Sequence, residues 1–362
     1  MALPAALKGP LNPFRLTGTP MPPNLLLMCK VLALALLATS HVRILPDPFL
    51  PFFPGLDQLT EPALFKATLQ TVAVVAAAAL LLNRTPRWCA LIVGTCMLLA
   101  VVSSRAYYGN NKTFVGLVLV LVGLSDFDRP PYLLRWQLTL VYFGAALNKL
   151  LDADWQSGLF FDYWAGEKHK QPVYLAVSSR LPPLLAGKLM CWGTIFAEAT
   201  AALGLLLPPL VPLALWANVL FQVALLEFTG QTFILFFYAM VAATLAFVRW
   251  PAGLQVLQRR QKSPWRWLRW LDPDGVQKWQ PADPSTRDGG DSWLLVRQGE
   301  RLYSGIAAVS RLLLYSPVVW LGATAALALG DAGWWRRLLV ASVMLLVLPG
   351  FWSRRVRCSP AA

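Results

Sequence analysis

Histidine is nearly missing from this chain, with only His41 and His169 in 362 residues. That excludes a histidine-built metal centre. Cysteine is scarce as well. The five cysteines are Cys29, Cys89, Cys96, Cys191 and Cys358, and no two of them form a C-x-x-C pair. A structural zinc module is built on such spacing, and four of the five lie in apolar runs where Cys acts as a small hydrophobe, so neither a metal nor a disulfide framework is expected. Charge is the third shortage. Only 14% of residues are charged, and 18 acidic side chains face 32 Lys and Arg. The +14 excess sits in short segments between apolar runs, without the stripe of a nucleic-acid module, so no nucleic-acid partner is expected.

What is present in quantity is apolar surface. The apolar fraction is 57%, against about 45–50% in soluble domains. This balance excludes a disordered chain and weighs against an ordinary soluble enzyme. The class that remains is an all-α polytopic membrane protein with the lipid bilayer as its first partner. A spanning helix needs about 20 apolar residues. Runs at 25–42, 65–82, 88–104, 113–125, 133–151, 185–207, 210–228 and 232–248 give about eight spans. Two weaker candidates lie at 312–329 and 338–348. No small-residue cleavage site follows the first run, so it reads as a retained helix. The domains expected are an N-terminal segment over 1–24, a membrane domain over 25–250 and a basic extension over 251–362. In that extension, Leu294-Leu295-Val296 and Arg301-Leu302-Tyr303 flank Gln298-Gly299, the pattern of a short hairpin.

Orientation follows from Lys and Arg in the short loops. Arg84 and Arg87 fall between the second and third spans. Arg249, Arg259, Arg260, Lys262, Arg266 and Arg269 follow the eighth. If 113–125 crosses the membrane, both clusters and the N-terminus share the cytoplasmic side, and the long loop 152–183 lies outside.

Polar groups inside the spans are the candidate site, because such groups are costly and face the bundle interior. The fifth span carries Arg135, Gln137, Tyr142, Asn148 and Lys149. Positions 135, 142 and 149 recur every seven residues and share one slowly drifting face, about 21 Å long. Simple snorkelling of Arg135 and Lys149 to the two surfaces is the plain alternative. Asp152, Asp154 and Trp155 follow directly and place two carboxylates and an interfacial aromatic at the helix end. Burial of Lys149 would favour its neutral amine, and a neighbouring carboxylate would favour its ammonium. Glu198, mid-way along the sixth span, and Glu227, at the end of the seventh, need cationic partners or must be neutral. Lys149, Lys188 and Arg135 are the available cations. Asn218 and Gln222, one turn apart, suit interhelical hydrogen bonding.

The run from Leu134 to Gly158 reads LRWQLTLVYFGAALNKLLDADWQSG. It resembles the core motif of the vitamin K-dependent γ-carboxylase family, whose bacterial relatives are the HTTM (horizontally transferred transmembrane) proteins. The family pattern is R-x-Q, V-Y-F-x-A, a catalytic Lys, then D-A-D-W-x-x-G. One extra Leu separates Lys149 from the Asp-Ala-Asp-Trp element here. Asn110-Asn111 and Trp192-Gly193 followed by Glu198 add to the likeness, which covers 25–250. The resemblance implies a bacterial inner-membrane enzyme that uses a reduced quinone of the vitamin K type, with a peptide or small molecule as acceptor. It makes Lys149 the general base, with Arg135, Gln137, Tyr142, Asp152, Asp154, Trp155, Glu198 and Glu227 in support. Lys149→Ala should then abolish turnover and leave folding intact.

Three departures point from protein carboxylation itself toward related quinol chemistry. The family's later-span histidine is replaced by Leu226-Glu227-Phe228, its second basic residue by Asn148, and its large lumenal domain has no counterpart. The extension resembles a DCC-type thiol–disulfide oxidoreductase of thioredoxin-like fold. Its C-P-x-C falls at Gln258-Arg259-Arg260-Gln261, so it would be a degenerate domain without thiols. It would also make 312–329 a packing helix. Two other readings stay open: a non-catalytic membrane scaffold and a small-molecule transporter, the latter lacking the inverted repeat of that class.

Overall fold

A computed structural model describes residues 11–39, 41, 51–53, 55, 58, 62–229, 233–251, 253–258, 264–272, 275, 277–281, 294–299, 301–328 and 333–351. Helices dominate, and the chain divides into two units: 1–131 together with 233–362, and 132–232.

In the first unit, α1 (Pro23–Ala38) is buried along most of its length. Its one cation, Lys30, is fully buried and donates to the carbonyls of Pro13 at 2.5 Å and Arg15 at 2.8 Å. Helices α2 (Pro62–Leu81), α3 (Pro86–Ser103) and α4 (Asn110–Leu124) follow. The pairing of α3 with α4 depends on glycine. A Cβ on Gly94 would lie 2.7 Å from the Gly116 carbonyl oxygen, so only hydrogen fits there. Arg87 closes one end of the pair by donating to the Gly123 carbonyl at 2.9 Å.

The second unit holds α5 (Tyr132–Leu151), α6 (Ala153–Ser157), a short irregular helical stretch, α7 (Pro172–Ser178), α8 (Leu185–Leu206) and α9 (Val211–Thr229). The first unit resumes with α10 (Ile234–Ala243) and a four-stranded sheet. Its strands are β1 (Leu254–Gln258), β2 (Gln277–Pro281), β3 (Leu294–Gln298) and β4 (Arg301–Ser304), in the order β2-β1-β3-β4. The β1–β2 pair is parallel, and the other two pairs are antiparallel. The β3–β4 pair is the hairpin read from the sequence, with Gly299 at φ +59°, the left-handed conformation a tight turn asks of glycine. Three helices end the described chain: α11 (Gly305–Leu314), α12 (Pro317–Ala328) and α13 (Trp334–Phe351).

Among the described residues, four helices have both the length and the apolarity to cross a membrane: Pro62–Leu81, Pro86–Ser103, Leu185–Leu206 and Pro208–Thr229. The number rises to five if the bent pair α11–α12 counts as one span. Three expected spans are shorter helices, at Pro23–Ala38, Asn110–Leu124 and Ile234–Phe247. The fifth, α5, has 20 residues, and its polar side chains keep it from the apolar class. The weaker candidate over 312–329 is not one straight helix. It is broken by a 73° bend between α11 and α12, because Pro317 ends one helix and Ser316 caps the next by accepting from Val319 N–H at 3.3 Å.

Candidate functional site

The site lies within the second unit and is built on α5. Leu138, Thr139, Tyr142 and Ala146 are buried on one face, and Lys149 continues that seam. The helix stops after Leu151, where Asp152 turns the backbone to an extended conformation. Asp152 caps α6, accepting from Asp154 N–H at 2.8 Å and Trp155 N–H at 3.3 Å. Asp154 sits exposed in the first turn of α6. Neither is the carboxylate that meets Lys149.

That carboxylate is Glu198. Lys149 Nζ donates to both Glu198 oxygens at 2.8 Å, across from α5 to α8. It also approaches the Ala145 carbonyl at 3.5 Å. The Trp155 ring centroid lies 5.1 Å from the ammonium, within cation–π range. Trp155 is itself stacked on Phe160 at 4.2 Å. The side chains are 18% exposed for Lys149 and 7% for Glu198, so the pair is largely out of water and the lysine is its accessible end.

Deeper on α5, Tyr142 is buried and donates its hydroxyl to Asn218 Oδ1. Gln222 Nε2 donates to the same hydroxyl at 3.1 Å. This joins α5 to α9. Arg135 is half-buried on the far part of α5, and Gln137 is half-buried beside it, so the structure does not bring either to Lys149. Glu227 is exposed near the end of α9 and is not part of the pair. Of the sequence candidates, Lys149, Glu198 and Trp155 therefore converge. Tyr142 forms a second cluster with Asn218 and Gln222, and Asp152 and Asp154 shape the turn beneath. Phe160 and Thr139 were missed. Thr139 was open to discovery, since it stands four residues after Arg135 and three before Tyr142 on the same face.

The turn is held by a close backbone approach. Gly158, at φ +92°, ends α6, and a Cβ on Gly187 would fall 2.3 Å from the Gly158 carbonyl oxygen. Gly187→Ala must push two backbone segments apart. It is expected to cost about 1–3 kcal/mol, as overpacking does, read as a lower melting temperature in detergent.

In the loop 152–183, Tyr174 donates to Asp162 Oδ1 at 2.9 Å and packs with Ala165 and Ala186. Burial, and then the Asp162 carboxylate, push the Tyr174 phenol above its ordinary range. A raised folded-state value means that its contribution is complete below the ordinary phenol titration and is lost as pH rises past it. Tyr174→Phe is therefore expected to cost about 1 kcal/mol at neutral pH. That difference should fade above about pH 10. Paired melts across pH 7–11 check it.

Among the described residues, no three His, Cys, Asp or Glu side chains are placed to share a metal ion. Cys29, Cys89, Cys96 and Cys191 are buried free thiols, and Cys358 lies outside the described residues. No protein-family model, curated protein or solved structure matches the chain.

Proposed function

We propose that the chain is a membrane enzyme of the HTTM and vitamin K carboxylase-like group, which uses Lys149 as the base toward a lipid-soluble quinol. The observation that carries the reading is the Lys149–Glu198 pair, buried between two helices with its lysine end open beside Trp155. A charged Lys–Glu pair becomes a neutral amine and a carboxylic acid by moving one proton from Nζ to a carboxylate oxygen. Both species suit apolar surroundings, so the exchange needs no charge to leave the site. The freed Nζ lone pair then accepts a proton from a hydroxyl placed at the exposed end.

The residues fit such a group. Trp155 and Phe160 offer a stacked aromatic wall, and the neighbouring Leu147, Leu150 and Leu151 are exposed apolar side chains. Trp155 would hold the ring and Lys149 the hydroxyl. When bound, a hydroquinone would supply the acidic hydroxyl and the reducing electrons, with oxygen as the oxidant. The remaining site residues position the pair: Asp152 fixes the turn that carries Trp155, and Tyr142 with Asn218 and Gln222 locks α5 to α9.

In this reading the protein crosses the membrane eight times. The four long apolar helices, the three shorter ones at 23–38, 110–124 and 234–247, and α5 make up that number. In the same reading the N-terminal segment and the tail lie on the cytoplasmic side of a bacterial inner membrane, a side that the excess of Lys and Arg in the short loops supports. The strand order and directions support a degenerate thioredoxin-like tail, with Gln258 at the end of β1 where the first thiol would stand.

The test is product formation. Protein in lipid nanodiscs, given vitamin K hydroquinone or menaquinol with oxygen, is expected to yield quinone epoxide above the level of empty nanodiscs. Folded protein that yields none rejects the quinol reading and leaves the pair as a packing element of a scaffold.

A further inference from the structure

We propose that Thr139, Tyr142 and Gln222 form a proton route by which Glu198 exchanges with water at the Arg135 end of α5, away from Lys149. Thr139, Tyr142, Asn218, Gln222 and Glu198 are each no more than 5% exposed. Five polar side chains in one dry helical interior is a costly arrangement without use. Two of their oxygens, Thr139 Oγ1 and Gln222 Oε1, have no hydrogen-bond partner. Buried acceptors of this kind are met by internal water in folded proteins. Tyr142 supplies a hydroxyl that already accepts from one side and donates to the other. On the seam between Tyr142 and Lys149 stands the buried Ala146, which places only a single methyl on that line. The residues therefore recur along α5 at 135, 139, 142, 146 and 149, one line from the helix start to Glu198.

Direction follows from charge. Glu198 meets the Lys149 ammonium on α5, while the neutral Tyr142 deeper on the same helix is met by the uncharged Asn218 and Gln222 of α9. An excess proton leaving Glu198 is repelled on the lysine side and meets only neutral oxygens on the other. The step balances: the Glu198 O–H bond breaks as a neighbouring water gains the proton. That proton passes along O–H···O contacts to bulk water at the helix start, and the carboxylate that remains pairs again with the ammonium. The base is thereby reset after each proton it takes.

This inference rests on the pair reading above, but its test needs no quinol. Dicyclohexylcarbodiimide reacts with a protonated carboxyl in apolar surroundings, and mass spectrometry of the Glu198 peptide counts the adduct. Full-length protein is placed in proteoliposomes of one orientation, with inner and outer pH set separately. Wild-type labelling is expected to follow the pH of the compartment facing Arg135 and to ignore the other. Thr139→Val/Gln222→Met removes the two unmatched oxygens at nearly constant volume and should lose that response, with a lower melting temperature because the Gln222–Tyr142 hydrogen bond goes too. Thr139→Val alone is expected to show the same loss, and it serves if the double variant does not fold. Labelling that follows the lysine side, that responds to neither side, or that persists unchanged in the variants overturns the route. Sided labelling without epoxide would reject the quinol chemistry and leave the route standing.

Discussion

Lys149→Ala is expected to lower stability by about 3–5 kcal/mol, the cost of stranding one member of a buried ion pair. It should cost more than Glu198→Ala. With lysine gone, the carboxylate stays between α5 and α8 at 7% exposure, on a side chain too short to carry its charge to the surface. With glutamate gone, Lys149 keeps 18% exposure, the Trp155 face and a four-carbon stem that can carry its ammonium to the surface. Glu198→Ala therefore belongs at the lower end of the same range. Melting curves of the two variants in one detergent decide the order. The geometry also revises the expectation that Lys149→Ala leaves folding intact. Loss of activity in that variant would mix chemistry with instability.

Lys149→Arg separates the two. A guanidinium can hold both Glu198 oxygens and keep the cation–π contact with Trp155, so the pair and the fold should survive. It cannot give up its proton at any working pH. Turnover should then fall by about 10²–10⁴-fold, the usual worth of a general base, while the melting temperature stays near that of the wild type. A scaffold or a packing network would show no functional difference between Lys and Arg at this position.

Much of the architecture was legible in the sequence because two signals were strong. Long apolar runs located the helices, and Gln298-Gly299 between two short strand-like segments located the β3–β4 hairpin. The seven-residue recurrence of Arg135, Tyr142 and Lys149 found the working face of α5 but not its partners. Glu198 could be paired with Lys149, Lys188 or Arg135 on charge alone, and only the crossing of α5 and α8 selects Lys149. The two aspartates misled for a similar reason. Asp152 and Asp154 are close to Lys149 in sequence, but α5 ends between them and the lysine, and Asp152 is used up by the next helix cap. The break at Ser316-Pro317 was written in the sequence as a cap followed by proline. It was hidden by the apolar residues on both sides.

The most direct measurement is quinone epoxide formed by wild type and by Lys149→Arg in matched nanodiscs, with the fold of both samples verified by melting. The account predicts epoxide from the wild type and a loss of two orders of magnitude or more in the arginine variant, in line with a lost general base. Equal epoxide from both would show that the proton on Lys149 takes no part, and it would contradict the assignment of the Lys149–Glu198 pair as the working base.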